Sequence, residues 1–282
     1  MSSVQRTSAR QLSFWLVLRV VALPLSASAQ LRADSVRQDL RHLVGDVWSV
    51  WTSPAHATED DWAGVAATAA LTGVAATADE PLARWISDHP DAWPVRTLKH
   101  TLSEEAKYPA YELGSGQYLL PISGVLYLAG SIGRSQALRD AGLGCATAHL
   151  TSAGAREIVY LLVARDRPRT SPDDPFVIRS PGSHDWNMHS FFSGHIANSL
   201  GCASFLSHRF DLHAATPLLY GVTLAIGAGR VMDGRHWLSD TVVGAMFGYA
   251  TGKAVAARML ERERRSMTPS KAPVMVSFSV PF

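Results

Sequence analysis

An all-α bundle of about six core helices is the fold class this sequence predicts. Three observations lead there. Apolar runs of about twelve to seventeen residues recur along the chain, the length of buried helices rather than of strands. Strand-like alternation is confined to the C-terminal tail, through Val274, Val276, Phe278 and Val280. One strand cannot close a barrel, so that tail reads as packed or frayed. The helical pattern stops for any length only over residues 165–190, a segment with four prolines. Such loops in a compact domain are usually functional or disordered.

Composition sets the limits. The 282 residues are 47% hydrophobic and 18% charged, enough for a substantial core. A net charge of only +2 gives no global field for nucleic acid, so an anion must be held by local arginines. Mean hydropathy is +0.04, lower than six membrane spans would give, and several apolar runs carry Arg, Lys or His. A soluble exported protein is therefore the favoured reading. An integral membrane protein with a periplasm-facing site is the alternative, and membrane association stays open.

The elements follow in order. Arg6 and Arg10 precede an apolar run, Leu12 to Leu25, and Ala27-Ser28-Ala29 has the form of a cleavage site. Residues 1–29 thus read as a signal peptide that directs the chain to the periplasm. Val47, Trp48, Val50 and Trp51 mark an amphipathic segment. Thr58-Glu59-Asp60-Asp61 is a helix start, leading into a run of small apolar residues from Trp62. A further element begins at Asp79, and Pro90 and Pro94 mark a turn region. Lys99 to Lys107 is polar, and Gly114-Ser115-Gly116 is a turn before the apolar segment Tyr118–Ile132. Residues 136–164 form one long helical pattern carrying His149, Arg156 and Glu157. Helices are then expected over Ile196–Ser207, Pro217–Gly229 and Asp240–Arg258, with Glu261–Arg265 as a solvated helix end. Cys145 and Cys202 both lie in helical stretches, either as two buried thiols or as a disulfide. Trp48, Trp51, Trp62, Trp85 and Trp93 fit either ordinary packing or an interfacial belt.

Three clusters carry chemistry. Arg165-Asp166-Arg167-Pro168-Arg169 ends the long helix, with Pro168 as the stop, and guanidinium groups bind tetrahedral oxyanions bidentately. Ser190-Phe191-Phe192-Ser193-Gly194-His195 opens a helix, where a hydroxyl and backbone N–H groups suit an anion. Arg230 to Asp240 reads R-V-M-D-G-R-H-W-L-S-D. If His236 and Asp240 lie on a helix they share a face, and the carboxylate can accept the imidazole Nδ1–H. His184 and His189, in the loop, read as surface histidines. Taken singly, each cluster has an ordinary explanation as a helix end or cap.

Together, R-x-R-P, then S-G-H, then R-x5-H-x2-S-D resemble the type 2 phosphatidic acid phosphatase superfamily. That group includes bacterial class A acid phosphatases, lipid phosphate phosphatases and vanadium-dependent haloperoxidases. The resemblance covers about residues 140–256, within a domain expected over 30–262 and followed by a tail, 263–282. It implies His236 as a nucleophile forming a phosphohistidine, Asp240 orienting it, and His195 as the general acid and then base. It also implies that Arg167, Arg230, Ser193 and the Gly194 N–H hold the non-bridging oxygens. No metal or other cofactor is implied. Vanadate would act as an inhibitor or, in a haloperoxidase, as the cofactor. The partner would be a phosphorylated lipid or small molecule.

Two positions depart from the family pattern. Tyr160 stands where the motif K-x6-R-P has its Lys, and Phe192 stands where Pro usually precedes S-G-H. The phenol carries no charge, and Arg156, one helical turn earlier, is placed to reach the same space. The expected activity is hydrolysis of phosphate monoesters or pyrophosphates. A vanadium haloperoxidase and a non-catalytic binder of phosphorylated lipids are the alternatives. Oligomeric state is not encoded in these motifs.

Overall fold

The structure, a computed structural model, describes residues 33–102, 109–179, 182 and 185–267. The segments read as a signal peptide and as a strand-like tail, together with His184, lie outside the described residues. Within them the chain is all-α, with nine α-helices: α1 Ala33–Thr52, α2 Glu59–Thr77, α3 Asp79–Asp88, α4 Trp93–Leu102, α5 Gly116–Gly133, α6 Gln136–Leu162, α7 Gly194–Phe210, α8 Ala215–Met232 and α9 Leu238–Met267.

Local chemistry accounts for the boundaries. Thr58 opens α2 with a capping box: Asp61 N–H donates to Thr58 Oγ1 at 3.3 Å, and Thr58 N–H donates to Asp61 at 2.8 Å. Ser115 caps α5 by accepting from Gln117 N–H at 3.3 Å, so Gly114-Ser115-Gly116 is a helix entry. Pro94 does not break the chain where a turn was expected. It sits in the first turn of α4, where its missing N–H has no helical acceptor to lose. Glu261–Arg265 continues α9 without a break.

The helices that carry the site are drawn together by close backbone contact. Gly244, Gly248 and Gly252 repeat every fourth residue on α9, and β-carbons there would stand 2.5, 2.4 and 2.2 Å from the carbonyls of Ser193, Ala197 and Gly201 on α7. Any side chain would push these two helices apart. On its other side α7 meets α6, and the Cys145–Cys202 disulfide joins the two, which resolves the open cysteine question. Around it Phe205, Val255, Ala256 and Met259 form an apolar core.

At the far end of α9 the buried Asp46 of α1 receives Arg258 Nε and Arg262 Nη1, both at 2.7 Å. Many apolar side chains remain outside the bundle. Trp48, Trp62 and Trp93 are exposed, so packing into a core does not explain them. Among the described residues one helix, α8, is long and apolar enough to cross a membrane by length and composition.

Candidate active site

The R-x5-H spacing has a local cause. Helix α8 ends at Met232, and Gly234 reverses the chain with φ +63°, a left-handed conformation that suits glycine. The returning N–H groups of Arg235 and His236 donate to the Arg230 carbonyl at 3.0 and 3.3 Å. Arg230 and His236 thereby enter one buried space, each only 2% exposed. Helix α9 begins after this turn. His236 is therefore not on the helix that carries Asp240, contrary to the shared-face expectation.

This changes the hydrogen bonding of His236. Its Nδ1 lies 2.7 Å from the Ser190 backbone carbonyl and 4.0 Å from Asp240 Oδ2. A carbonyl can only accept, so Nδ1 carries the proton and Nε2 keeps its lone pair. Asp240 acts at one remove. Its Oδ2 accepts from Ser190 Oγ at 2.5 Å and from Trp237 N–H at 2.9 Å. Ser190 thus touches His236 through its main chain and Asp240 through its side chain.

The first arginine cluster is also not a helix end. Helix α6 stops at Leu162, well before Pro168, and the chain becomes extended. Strand β1, Ala164–Arg165, pairs antiparallel with β2, Ile178–Arg179. Extended backbone alternates its side chains, and the arginines separate accordingly. Arg165 is buried under α9, where Nη1 meets Asp240 Oδ1 at 2.5 Å and Nη2 meets Asp79 at 2.9 Å. Arg167 is held by its own N–H on the Asn187 carbonyl, 3.0 Å, and donates from Nη2 to the His189 carbonyl, 3.2 Å. Asp166 is occupied by Arg179 and Ser171, which holds its carboxyl below the usual range.

Helix α7 starts at Gly194, and Ser193 N–H donates to the Asp240 carbonyl at 3.1 Å, tying that start to α9. First-turn N–H groups have no acceptor within their own helix. Ser193 Oγ and Arg167 Nε are buried here without a hydrogen-bond partner among the described residues. Arg156 closes the other side. A β-carbon on Gly194 would stand 2.5 Å from Arg156 Nη1, and the same guanidinium lies over the Tyr160 ring at 5.5 Å. Arg156 also pairs with Glu157. Tyr160 is buried and donates to the Phe192 carbonyl at 3.3 Å, and burial pushes its phenol up. His189 is no surface residue. It is 8% exposed and stacks on Tyr160 with centroids 4.8 Å apart.

The electrostatics follow from burial and crowded cations. Burial, aided by Arg167, Arg230 and His195, holds His236 well below the usual imidazole range. Burial, with Arg230, Arg156, Arg167 and Arg235, does the same for His195, which is only partly buried. Burial brings Arg167 down to about 10, which leaves it charged at neutral pH. Two neutral imidazoles among cations make a place for an anion, whose charge would raise both histidines again. A cleft of about 260 Å³ adjoins His236 between α3, α4 and the α8–α9 turn, with Ile86, Lys99, Val231 and Trp237 on its walls.

The structure thus brings together His195, His236, Asp240, Arg167, Arg230, Ser193, Gly194, Arg156 and Tyr160. Motif reading passed over Asp79, Ser190, Trp237 and the role of Arg165. Trp237 fills the base of the site, 1% exposed, and its Nε1 donates to the Asp166 carbonyl at 2.8 Å. Arg165, Ser190 and Trp237 each lie within one of the three clusters, whereas no motif marks Asp79.

Residues 141–264 match the family described as the PAP2 superfamily. This part of the chain belongs to that superfamily. The PAP2 segment contains each motif side chain named above, whereas Asp79 lies outside it. Among solved structures, the chain is similar to the "first transmembrane PAP2 type phosphatidylglycerolphosphate phosphatase from Bacillus subtilis", at 17% identity and TM-score 0.45. That likeness covers 83% of this chain and 98% of the other. A comparison with curated proteins gives no match.

Proposed function

We propose that this protein is a phosphatase that cleaves phosphate monoesters or diphosphates through a phosphohistidine. One observation carries the reading. A neutral His236 with its Nδ1–H committed to the Ser190 carbonyl shares a buried site with Arg167, Arg230 and the opening turn of α7. Membership of the PAP2 segment supports the same chemistry.

In the proposed scheme His236 Nε2 attacks phosphorus, and the P–O bond to the leaving alkoxide breaks. Arg167, Arg230, Ser193 Oγ and the Gly194 N–H hold the non-bridging oxygens as charge shifts onto them. Bound phosphate restores basicity to His195, which then protonates the leaving oxygen. In the second step His195 takes a proton from water, and that water releases phosphate from His236. The scheme runs through protein groups alone. Phosphate release should therefore continue in EDTA, with vanadate acting as a competitive inhibitor rather than a cofactor.

Lipid phosphates are the favoured substrates. Leu162, Phe176 and Ile178, around the short ladder that bears Arg165, are 65%, 68% and 62% exposed and would meet a lipid surface. The test is phosphate release from p-nitrophenyl phosphate and from a lipid phosphate in detergent, each with EDTA. His236→Ala should lose at least about 10⁴-fold in kcat, and wild type should form an acid-labile phosphoenzyme that the variant lacks. Activity surviving in the variant would remove the phosphohistidine. Release from membranes by carbonate wash would place the chain at the lipid surface rather than within it.

A further inference from the structure

We infer that Asp79, on α3 and outside the PAP2 segment, is a positioning residue for His236, acting through Arg165 and Asp240. The inference rests on the phosphohistidine reading above.

Helix α9 presents the starting problem. Trp237, which precedes it, has no side-chain oxygen to satisfy the first orphan N–H groups. Two carboxylates do this instead. Asp240 Oδ2 accepts from Trp237 N–H at 2.9 Å, and Asp79 Oδ1 accepts from Ser239 N–H at 2.9 Å. Asp79 is the first residue of α3, only 1% exposed, and lies 160 positions from Ser239 in the chain. Its Oδ2 also receives Ser239 Oγ at 2.5 Å.

Arg165 joins the two carboxylates. Nη2 binds Asp79 at 2.9 Å, while Nη1 binds Asp240 at 2.5 Å and Ser239 Oγ at 2.9 Å. Its Nε donates to the Pro175 carbonyl at 2.7 Å, so the guanidinium has no freedom to turn. From Asp240 the path runs through Ser190 Oγ, 2.5 Å, to the Ser190 carbonyl that receives His236 Nδ1–H, 2.7 Å. Every member of the path is buried. With Asp240 Oδ1 held by Arg165, only Oδ2 remains to hold Ser190. Arg165 is in turn held in place by Asp79. A charge on Asp79 therefore fixes which way Asp240, Ser190 and the nucleophile face, and a capping role alone would not require that charge.

The test is Asp79→Asn in the full chain. Asparagine can keep its one oxygen as the acceptor for Ser239 N–H, which turns its NH₂, a donor, toward Arg165. We expect kcat to fall about 10- to 100-fold, with KM changing less than about threefold. The His236 Nδ1–H signal in ¹⁵N-histidine NMR should shift, and Asp79→Glu should restore part of both. A variant with wild-type kcat and an unshifted signal overturns the inference. If Asp79→Asn does not fold, Ser239→Ala removes one contact of the same network and should show the smaller form of both effects; no effect in that variant is equally fatal. The two readings fail separately. Inactive His236→Ala with wild-type Asp79→Asn sinks only this inference. Active His236→Ala sinks the phosphohistidine, and the NMR signal then decides on Asp79 alone.

Discussion

Two ends of helix α9 collect arginines, and they use them in opposite ways. At the far end Arg258 and Arg262 converge on Asp46, with Ser49 Oγ accepting from Arg258 Nη1 at 2.6 Å and Arg262 Nη2 reaching Asp46 Oδ2 at 2.8 Å. Charge there is answered from within the chain, and the result is a clamp between α1 and α9. At the site end, no carboxylate among the described residues pairs with Arg167, while Asp166, next to it in sequence, is taken by Arg179. A buried guanidinium that no carboxylate answers is unfavourable until an anion arrives. The lesson is that an arginine's role lies in where its counter-charge comes from. Arg165 belongs to the clamp class although it sits in the site, because Asp79 and Asp240 both answer it.

That contrast can be broken experimentally. The largest effect expected is from Arg167→Ala, which should lower kcat/KM about 10²- to 10³-fold, the usual loss for one oxyanion donor. Its melting temperature should stay level or rise, since a buried cation without a carboxylate is a cost to folding. Stability loss with normal kinetics would put Arg167 in the clamp class. Arg262→Ala should do the reverse. It leaves the buried Asp46 with Arg258 alone, and should cost about 2 kcal/mol in urea unfolding with activity kept within about threefold. A kinetic defect without loss of stability would erase the distinction between the two ends.

His149 sharpens the comparison through pH. It is buried on α6, and burial, followed by Arg156, lowers it to about 4 from 6.5. As pH falls below 6.5 the unfolded chain takes up this proton first. The folded state therefore loses stability between pH 6.5 and about 4, and nothing is gained above that window. At pH 5 the loss is about 2 kcal/mol, or roughly 5 °C. His149→Gln should make the drop in melting temperature from pH 7 to pH 5 smaller by about that amount. Identical drops in the two proteins would show that His149 is charged in the fold. The smallest effect expected is from Arg156→Ala, about a tenfold rise in KM. Unchanged kinetics would mean that Arg156 serves Tyr160 and Glu157 rather than the substrate.

What was legible in the sequence was whatever depends on near neighbours. Apolar periodicity marked the helices, and Thr58 with Asp61 marked the start of α2. The order R-x-R-P, S-G-H and R-x5-H pointed to the PAP2 superfamily. These signals are local because helices and turns are closed by bonds within a few residues. Spacing misled where the backbone was not helical. His236 and Asp240 are four apart, yet the turn at Gly234 places His236 before α9, and its Nδ1–H goes to Ser190, 46 positions away. Arg167 was read at a helix end, but α6 had already stopped at Leu162.

By itself, then, the sequence determined the helical class and the candidate residues for the chemistry. Tertiary packing alone decided who holds them: the Ser190 carbonyl under His236, His189 stacked on Tyr160, the cysteines joined, and Asp79 reaching α9. The physical reason is that a buried hydrogen bond needs a partner at about 3 Å. Which residue comes that close across 160 positions is set by how α3, α7 and α9 pack, and no spacing along the chain records it.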